Sequence, residues 1–123
     1  MDGQGALYVS DSGNHRVMKW SRGVTQGVVV AGGQGEGTNL GQLSYPMKVV
    51  IDTEETVYVA EWGNDRVTRW KKGASNGEII VNGDSEANQA HQIQWPQGFC
   101  FDSYGNMFVS SLRNGCVQRF SIL

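Results

Sequence analysis

The sequence lacks the features that mark a membrane protein, a disulfide-bonded domain or a nucleic-acid binder. No stretch approaches the roughly 20 consecutive apolar residues that a helix needs to cross a bilayer. The 10 basic and 12 acidic residues give a net charge of −2, without the basic excess typical of nucleic-acid-binding proteins. With only Cys100 and Cys116 present, we expect two separate thiols and no disulfide framework. Residues 1–5 contain neither a basic nor an apolar segment, so we expect no signal peptide, and the sequence does not indicate a compartment.

Proline is also scarce, with 2 residues, whereas glycine is abundant, with 17. Many glycines and few prolines are typical of short strands joined by tight turns. No window of the sequence shows sustained helical periodicity. The composition therefore favours an all-β protein.

The chain contains an internal repeat with a period of fifty residues and no gaps, as Asp2, Asp52 and Asp102 show. The same alignment brings further residues of matching type into register: Tyr8, Tyr58 and Phe108; Val9, Val59 and Val109; Asn14, Asn64 and Asn114; Trp20, Trp70 and Phe120; Pro46 and Pro96. A fixed period of this length is the pattern of a repeat architecture.

Each repeat unit predicts four short strands, which we designate a to d. In the middle unit they are residues 47–51, 57–61, 66–70 and 78–81. These β-branched and aromatic runs are bounded by glycine, asparagine and aspartate, and their short connections predict antiparallel pairing. The b strand is apolar on both faces, because Val57 and Val59 alternate with Tyr58.

A sheet that is apolar on both faces must lie between two neighbours. Four-stranded antiparallel sheets packed face to face at a fixed repeat are the blades of a β-propeller. A β-sandwich fits less well, because its sheets keep one face in water. We divide the chain into partial units at residues 1–44 and 95–123 and a complete unit at 45–94. The ten strands amount to about two and a half blades, so either the chain is part of a longer propeller or several copies complete a ring.

Residues 7–17 resemble the signature core of the NHL repeat, and residues 57–67 match it with Glu61 and Asp65 in place of aspartate and histidine. The dipeptides Tyr45-Pro46 and Trp95-Pro96 resemble the start of such a repeat. This resemblance implies a closed propeller that serves mainly as a binding platform for proteins or RNA. A few members of the family are metal-dependent enzymes.

An acidic and a basic residue recur five positions apart, at the two ends of the turn between strands b and c. They are Asp11 with Arg16 in the first unit and Glu61 with Arg66 in the second. The third unit has neither, because Ser111 and Cys116 stand at these positions. Because the acidic and the basic residue are either both present in a unit or both absent, we interpret them as a cross-strand ion pair that fixes the turn. The alternative is that the acidic residues are ligands or catalytic carboxylates.

The loops vary more than the strands, and specificity on a repeated scaffold usually lies in such variable positions. The long d–a loops, at 32–44 and 82–94, and the b–c turns are expected on one face, which we term the loop face. Trp62 is either an interface anchor on that face or packs on its own d–a loop. We predict a binding site there that contains His15, Trp62, Asp65, Leu112 and Arg113.

The sequence favours a non-catalytic module that binds a protein or peptide, with no cofactor and no metal. One alternative is part of a metal-dependent propeller lyase or lactonase; another is an RNA-binding domain that uses the basic strand-c residues Lys19, Arg69 and Arg119. His15 and His91 stand at different positions of the repeat, with no cysteine spaced to form a zinc site.

Overall fold

The fold consists of three antiparallel sheets that follow one another along the chain. A computed structural model describes residues 5–82, 96–101, 106–111 and 116–121. These residues contain ten strands and a 3₁₀ turn at Ser12–Asn14. The first sheet comprises β1 (Leu7–Asp11), β2 (Arg16–Trp20) and β3 (Val28–Gly32). The second comprises β4 (Pro46–Ile51), β5 (Val57–Glu61), β6 (Arg66–Trp70) and β7 (Glu78–Asn82). The third comprises β8 (Pro96–Phe101), β9 (Asn106–Ser111) and β10 (Cys116–Ser121).

The all-β prediction is confirmed, and the four strands of the middle sheet begin and end within one residue of the predicted positions. Strands pair in chain order within each sheet, because short turns join them into consecutive antiparallel hairpins. In the part of the chain that the structure describes, no helix has the length and apolar character needed to cross a membrane.

The three b–c hairpins share one register. Asp11 lies opposite Arg16 in the first sheet, and Glu61 lies opposite Arg66 in the second. In the third sheet Ser111 lies opposite Cys116, at the same place in the hairpin. The backbone register therefore does not require the ion pair, since the third hairpin keeps it without either charge.

The core lies between the first and second sheets. Val17 and Ala31 contribute from the first sheet, Val57 and Val59 from β5, and Leu43 from the loop that joins the two sheets. On the other side of the middle sheet, β4 and β5 contact β8. The middle sheet thus lies between its neighbours, as its doubly apolar b strand predicts. That the three sheets belong to a closed propeller stays a prediction.

The recurring glycine before strand d makes room for the tryptophan at the end of strand c. A Cβ added to Gly77 would lie 2.6 Å from the ring of Trp70, which is 1% exposed. In the first sheet a Cβ added to Gly27 would lie 2.7 Å from the ring of Trp20. A side chain at either position would displace a packed indole ring, which explains why glycine stands at both.

The loop of residues 33–45, which we term the bridging loop, extends beyond the loop face. One end of it meets the b–c turn of the second sheet, where the Gly63 amide donates to the Ser44 carbonyl at 3.1 Å. At its middle, the Gly77 amide of the c–d turn donates to the Leu40 carbonyl at 2.7 Å. A five-residue strand is only about 17 Å long, so a loop of this length spans it. The expectation that d–a loops stay on the loop face is therefore incomplete.

Candidate binding site

The turns between strands b and c place His15 and Asp65 in equivalent positions. Both have left-handed backbones, with φ of 53° and 49°. In the first turn the His15 amide donates to the Ser12 carbonyl at 3.1 Å, which closes the reversal of the chain. Asparagine, aspartate and histidine tolerate this conformation better than bulkier or β-branched residues. The turn geometry thus explains why these residue types occupy the last position before strand c.

Three aromatic rings form a row that joins the first two repeat units. The His15 and Tyr45 rings meet edge to face, with centroids 4.5 Å apart and an interplanar angle of 81°. Tyr45 and Trp62 meet in the same way at 6.1 Å and 86°. Both geometries lie in the favourable range for aromatic pairs. Two predicted site residues, His15 and Trp62, are therefore brought together through Tyr45, and we term the three residues the aromatic row.

Tyr45 is held in place by hydrogen bonds on both sides. Its backbone has a φ of 48°, a left-handed conformation that costs a bulky residue about 1–3 kcal/mol and persists only where surrounding contacts enforce it. The Tyr45 amide donates to Nδ1 of His15 at 3.1 Å. The Tyr45 carbonyl accepts from the Trp62 amide at 3.0 Å. The central ring of the row is thus fixed from both neighbouring turns.

The row ends in a polar group at His15. Because Nδ1 accepts the bond from Tyr45, the neutral imidazole carries its hydrogen on Nε2. Nε2 lies 3.7 Å from Oε2 of Glu36. The hydroxyl of Ser44 donates to the other carboxylate oxygen of Glu36 at 3.1 Å, and the Glu36 side chain is 54% exposed. A solvent-accessible carboxylate therefore stands at one end of the aromatic row.

Trp62 combines features of both sequence interpretations. Its ring packs against Tyr45, which belongs to the bridging loop, and its residue remains 37% exposed. Tyr45 itself is 40% exposed. Partial burial fixes the rings and leaves part of each exposed.

Behind the row lies the ion pair of Glu61 and Arg66. Arg66 Nε lies 2.9 Å from Glu61 Oε2, and the two side chains are 4% and 0% exposed. Glu61 also accepts from the Ser44 amide at 3.2 Å and from the Thr68 hydroxyl at 2.8 Å. Its carboxylate is thus buried and occupied by protein donors. This arrangement indicates a structural role for Glu61 and gives no support to an acidic ligand.

Arg66 extends the same network into the bridging loop. Its guanidinium donates to the carbonyls of Thr38 at 2.9 Å and Gln42 at 3.0 Å. The Asn64 amide donates to Glu61 and to the Gly37 carbonyl, both at 2.8 Å. These bonds fix the loop that carries Tyr45, so the buried pair positions the aromatic row.

The equivalent pair of the first unit is half-exposed. Arg16 Nε lies 2.9 Å from Asp11 Oδ2, with side chains 35% and 32% exposed. Hydrogen bonds from Asn14, and then from Arg16, lower the pKa of the Asp11 carboxyl from its usual value.

Of the remaining predicted residues, Asp65 lies in the same turn as Trp62, and Leu112 and Arg113 lie outside the described residues. Sequence reasoning did not select Tyr45 or Glu36. The repeat does mark Tyr45, because it aligns with Trp95 and both residues precede a proline. The repeat does not mark Glu36, because that residue lies in a loop that differs between units.

Two of the basic positions of strand c, Lys19 and Arg69, face carboxylates, and the side chain of Arg119 lies outside the described part of the chain. Lys19 Nζ lies 3.0 Å from Glu55 Oε1, and Lys72 Nζ lies 2.7 Å from Glu55 Oε2. Arg69 Nη2 lies 2.6 Å from Glu78 Oε2. The hydrogen bond that Lys19 donates to Glu55 raises the pKa of Lys19, and the bonds that Glu55 accepts from Lys72 and Lys19 lower the pKa of Glu55. This pairing removes support for a phosphate-binding stripe at Lys19 and Arg69. In residues 5–82 and the described strands beyond them, no three histidine, cysteine or acidic side chains come together as a metal site.

Comparison with known proteins shows the fold. No family model matches the sequence, and no curated protein does. Among solved structures, the chain is similar to an auxiliary nutrient binding protein from Bacteroides thetaiotaomicron, with a TM-score of 0.74 and 13% sequence identity over 93% of this chain. The chain spans 34% of the length of that protein. The two proteins therefore share an all-β fold over this segment.

Proposed function

We propose that this chain is a non-catalytic binding module that recognises a protein or peptide through its loop face. The observation that carries the proposal is the aromatic row, in which Tyr45 and Trp62 are each more than a third exposed and yet fixed by neighbouring turns. Rigid, partly exposed aromatic side chains are typical anchors of protein interfaces. The resemblance of residues 7–17 and 57–67 to the NHL repeat also supports a binding platform.

The chemistry of the row favours a peptide with an apolar or aromatic side chain next to a basic one. Tyr45 and Trp62 offer ring surfaces for the apolar group and for cation–π contact. The exposed carboxylate of Glu36, beside His15, offers an acceptor for lysine or arginine. The net charge of −2 also favours a positively charged partner.

The test is a selection of displayed peptides on the wild-type chain, followed by affinity measurements with variants. Trp62→Ala should lower the affinity for the selected peptides by about 30-fold or more, since truncation of an interface anchor costs ~2 kcal/mol of binding free energy. Trp62→Phe keeps a ring and should recover much of that loss. Glu36→Gln should weaken peptides that contain a basic residue more than those that do not.

Val24→Ala is the matched control, because Val24 is an exposed apolar residue, 50% accessible, in the c–d turn of the first unit. It should leave peptide affinity unchanged. Selected peptides that bind Trp62→Ala as tightly as the wild type would rule out the aromatic row as the recognition site.

A further inference from the structure

A second surface lies at the opposite end of the sheets from the aromatic row. A cleft of about 390 Å³ opens between the first and second sheets, beside the turn that follows β4. Cavities of this size are at the lower end of those that bind small molecules. Its walls come from adjacent repeat units of this chain, β3 on one side and the a–b and c–d turns of the middle unit on the other.

One wall of the cleft is apolar. Val28 and Val30 line it from β3, and Val57 lines it from β5. Val28 is 63% exposed, whereas Val30 packs against the core and Val57 is 3% exposed. The accessible Val28 side chain gives this wall an apolar surface that water covers in the free protein. An aliphatic group placed there would bury this surface, at about 25 cal/mol for each Å² removed from water.

The rim of the cleft carries a surplus of positive charge. Lys19, Lys71 and Lys72 line it together with a single acidic residue, Glu55. Lys19 and Lys72 share the Glu55 carboxylate at 3.0 and 2.7 Å. Lys71 Nζ lies 3.9 Å from Oε1 of Glu78. The other carboxylate oxygen of Glu78, Oε2, lies 2.6 Å from Arg69 Nη2. Three cations and one carboxylate thus line the cleft, although the whole chain carries a net charge of −2.

We infer that this cleft binds a small amphipathic carboxylate, with its aliphatic chain on Val28 and Val30 and its carboxylate beside Lys71 and Lys72. The charge surplus supplies the preference for an anion, and the valines supply the preference for an aliphatic body. Both lysines are 70% exposed, so a ligand carboxylate reaches their ammonium groups without displacing the core. The site is separate from the peptide surface proposed for the loop face.

Octanoate is the probe, and octylammonium, with the same chain length and the opposite charge, is its counterpart. Each is titrated into the ¹⁵N-labelled 123-residue chain and followed by amide chemical shifts. We expect octanoate to shift the amides of residues 28–30 and 71–74 in a saturable manner. We expect octylammonium to bind at least about fivefold more weakly, because charge contacts at an exposed rim contribute ~1 kcal/mol.

Variants separate the two parts of the cleft. The double substitution Lys71→Ala and Lys72→Ala should lower the affinity for octanoate about fivefold. Val28→Asp, which places a carboxylate on the apolar wall, should abolish saturable binding. Lys48→Ala removes an exposed cation that does not line the cleft, and it should change nothing. Dispersed amide spectra of each variant establish that it is folded. Equal binding of octanoate and octylammonium, shifts confined to other residues, or no saturable shift would each overturn the inference.

Discussion

The b–c hairpins of the first and second units have the same register and the same ion pair, yet their surroundings differ. In both, the charged atoms lie 2.9 Å apart. Asp11 and Arg16 are 32% and 35% exposed, whereas Glu61 and Arg66 are 0% and 4% exposed. The bridging loop produces this difference, because it leaves the first unit and covers the pair of the second.

The difference shows that a repeat unit is completed by the unit before it. Three carbonyls of the bridging loop accept hydrogen bonds from Arg66, and the amide of Ser44 donates to Glu61. Among the described residues, no equivalent loop covers Asp11 and Arg16. Stability in repeat proteins arises from each unit and from its interface with the next, and here the interface includes a buried charge network.

The largest expected effect comes from breaking the buried pair. Arg66→Ala leaves the Glu61 carboxylate buried without its cation, and removing one partner of a buried pair costs about 3–5 kcal/mol. We expect a fall of this size in the free energy of unfolding, measured by urea denaturation. Glu61→Gln keeps the shape of the side chain and some of its hydrogen bonds, so its free energy of unfolding should fall less. It provides a folded variant for comparison.

Arg16→Ala is the matched control for Arg66→Ala, because it removes the same residue type from the same position of the repeat. Its effect should be much smaller, since solvent screens the exposed pair. Equal losses of stability for the two variants would contradict the role assigned to the bridging loop.

A smaller effect is expected from the second polar link between the two units, which is less buried. Glu55 joins Lys19 of the first unit to Lys72 of the second. Those ammonium groups lower the pKa of Glu55 from its ordinary value of 4.5. A carboxyl with a lowered pKa stabilises the fold fully above its unfolded pKa, and this contribution is lost as pH falls through the folded pKa.

Urea midpoints measured from about pH 6 to about pH 3 test this link, since its contribution begins to be lost once the pH falls below the ordinary value of 4.5. The wild type should lose stability below pH 4.5 more steeply than Glu55→Gln, which has no carboxyl to protonate. Glu54→Gln, one residue away and exposed, should follow the wild type. Parallel curves for wild type and Glu55→Gln would show that this link contributes nothing.

The repeat period predicts most of the fold. Alternating apolar residues and turn residues at fixed offsets determine the strands and their order, and the structure agrees within one residue in the middle unit. The period cannot predict the path of the bridging loop, because loop residues do not repeat. For the same reason the burial of Glu61 and Arg66 was not apparent, although their pairing is a direct consequence of strand register.

The candidate site was predictable in part. His15 and Trp62 were selected as variable turn positions, but their meeting depends on Tyr45, whose left-handed backbone is set by contacts from both turns. The sites proposed at Leu112 and Arg113, and the completion of a ring by further blades or by other copies of the chain, stay predictions from the sequence.

The measurement that tests the dependence of one unit on its predecessor most directly is amide hydrogen exchange in the native state. Exchange reports local opening free energies, which rise with burial and with contacts to neighbouring elements. We predict that amides of β6 exchange more slowly than the equivalent amides of β2, a strand that is also paired on both sides, and that Arg66→Ala reduces this difference. Equal protection of the two strands in the wild type would contradict the account, because it would show that the bridging loop adds no stability to the unit it covers.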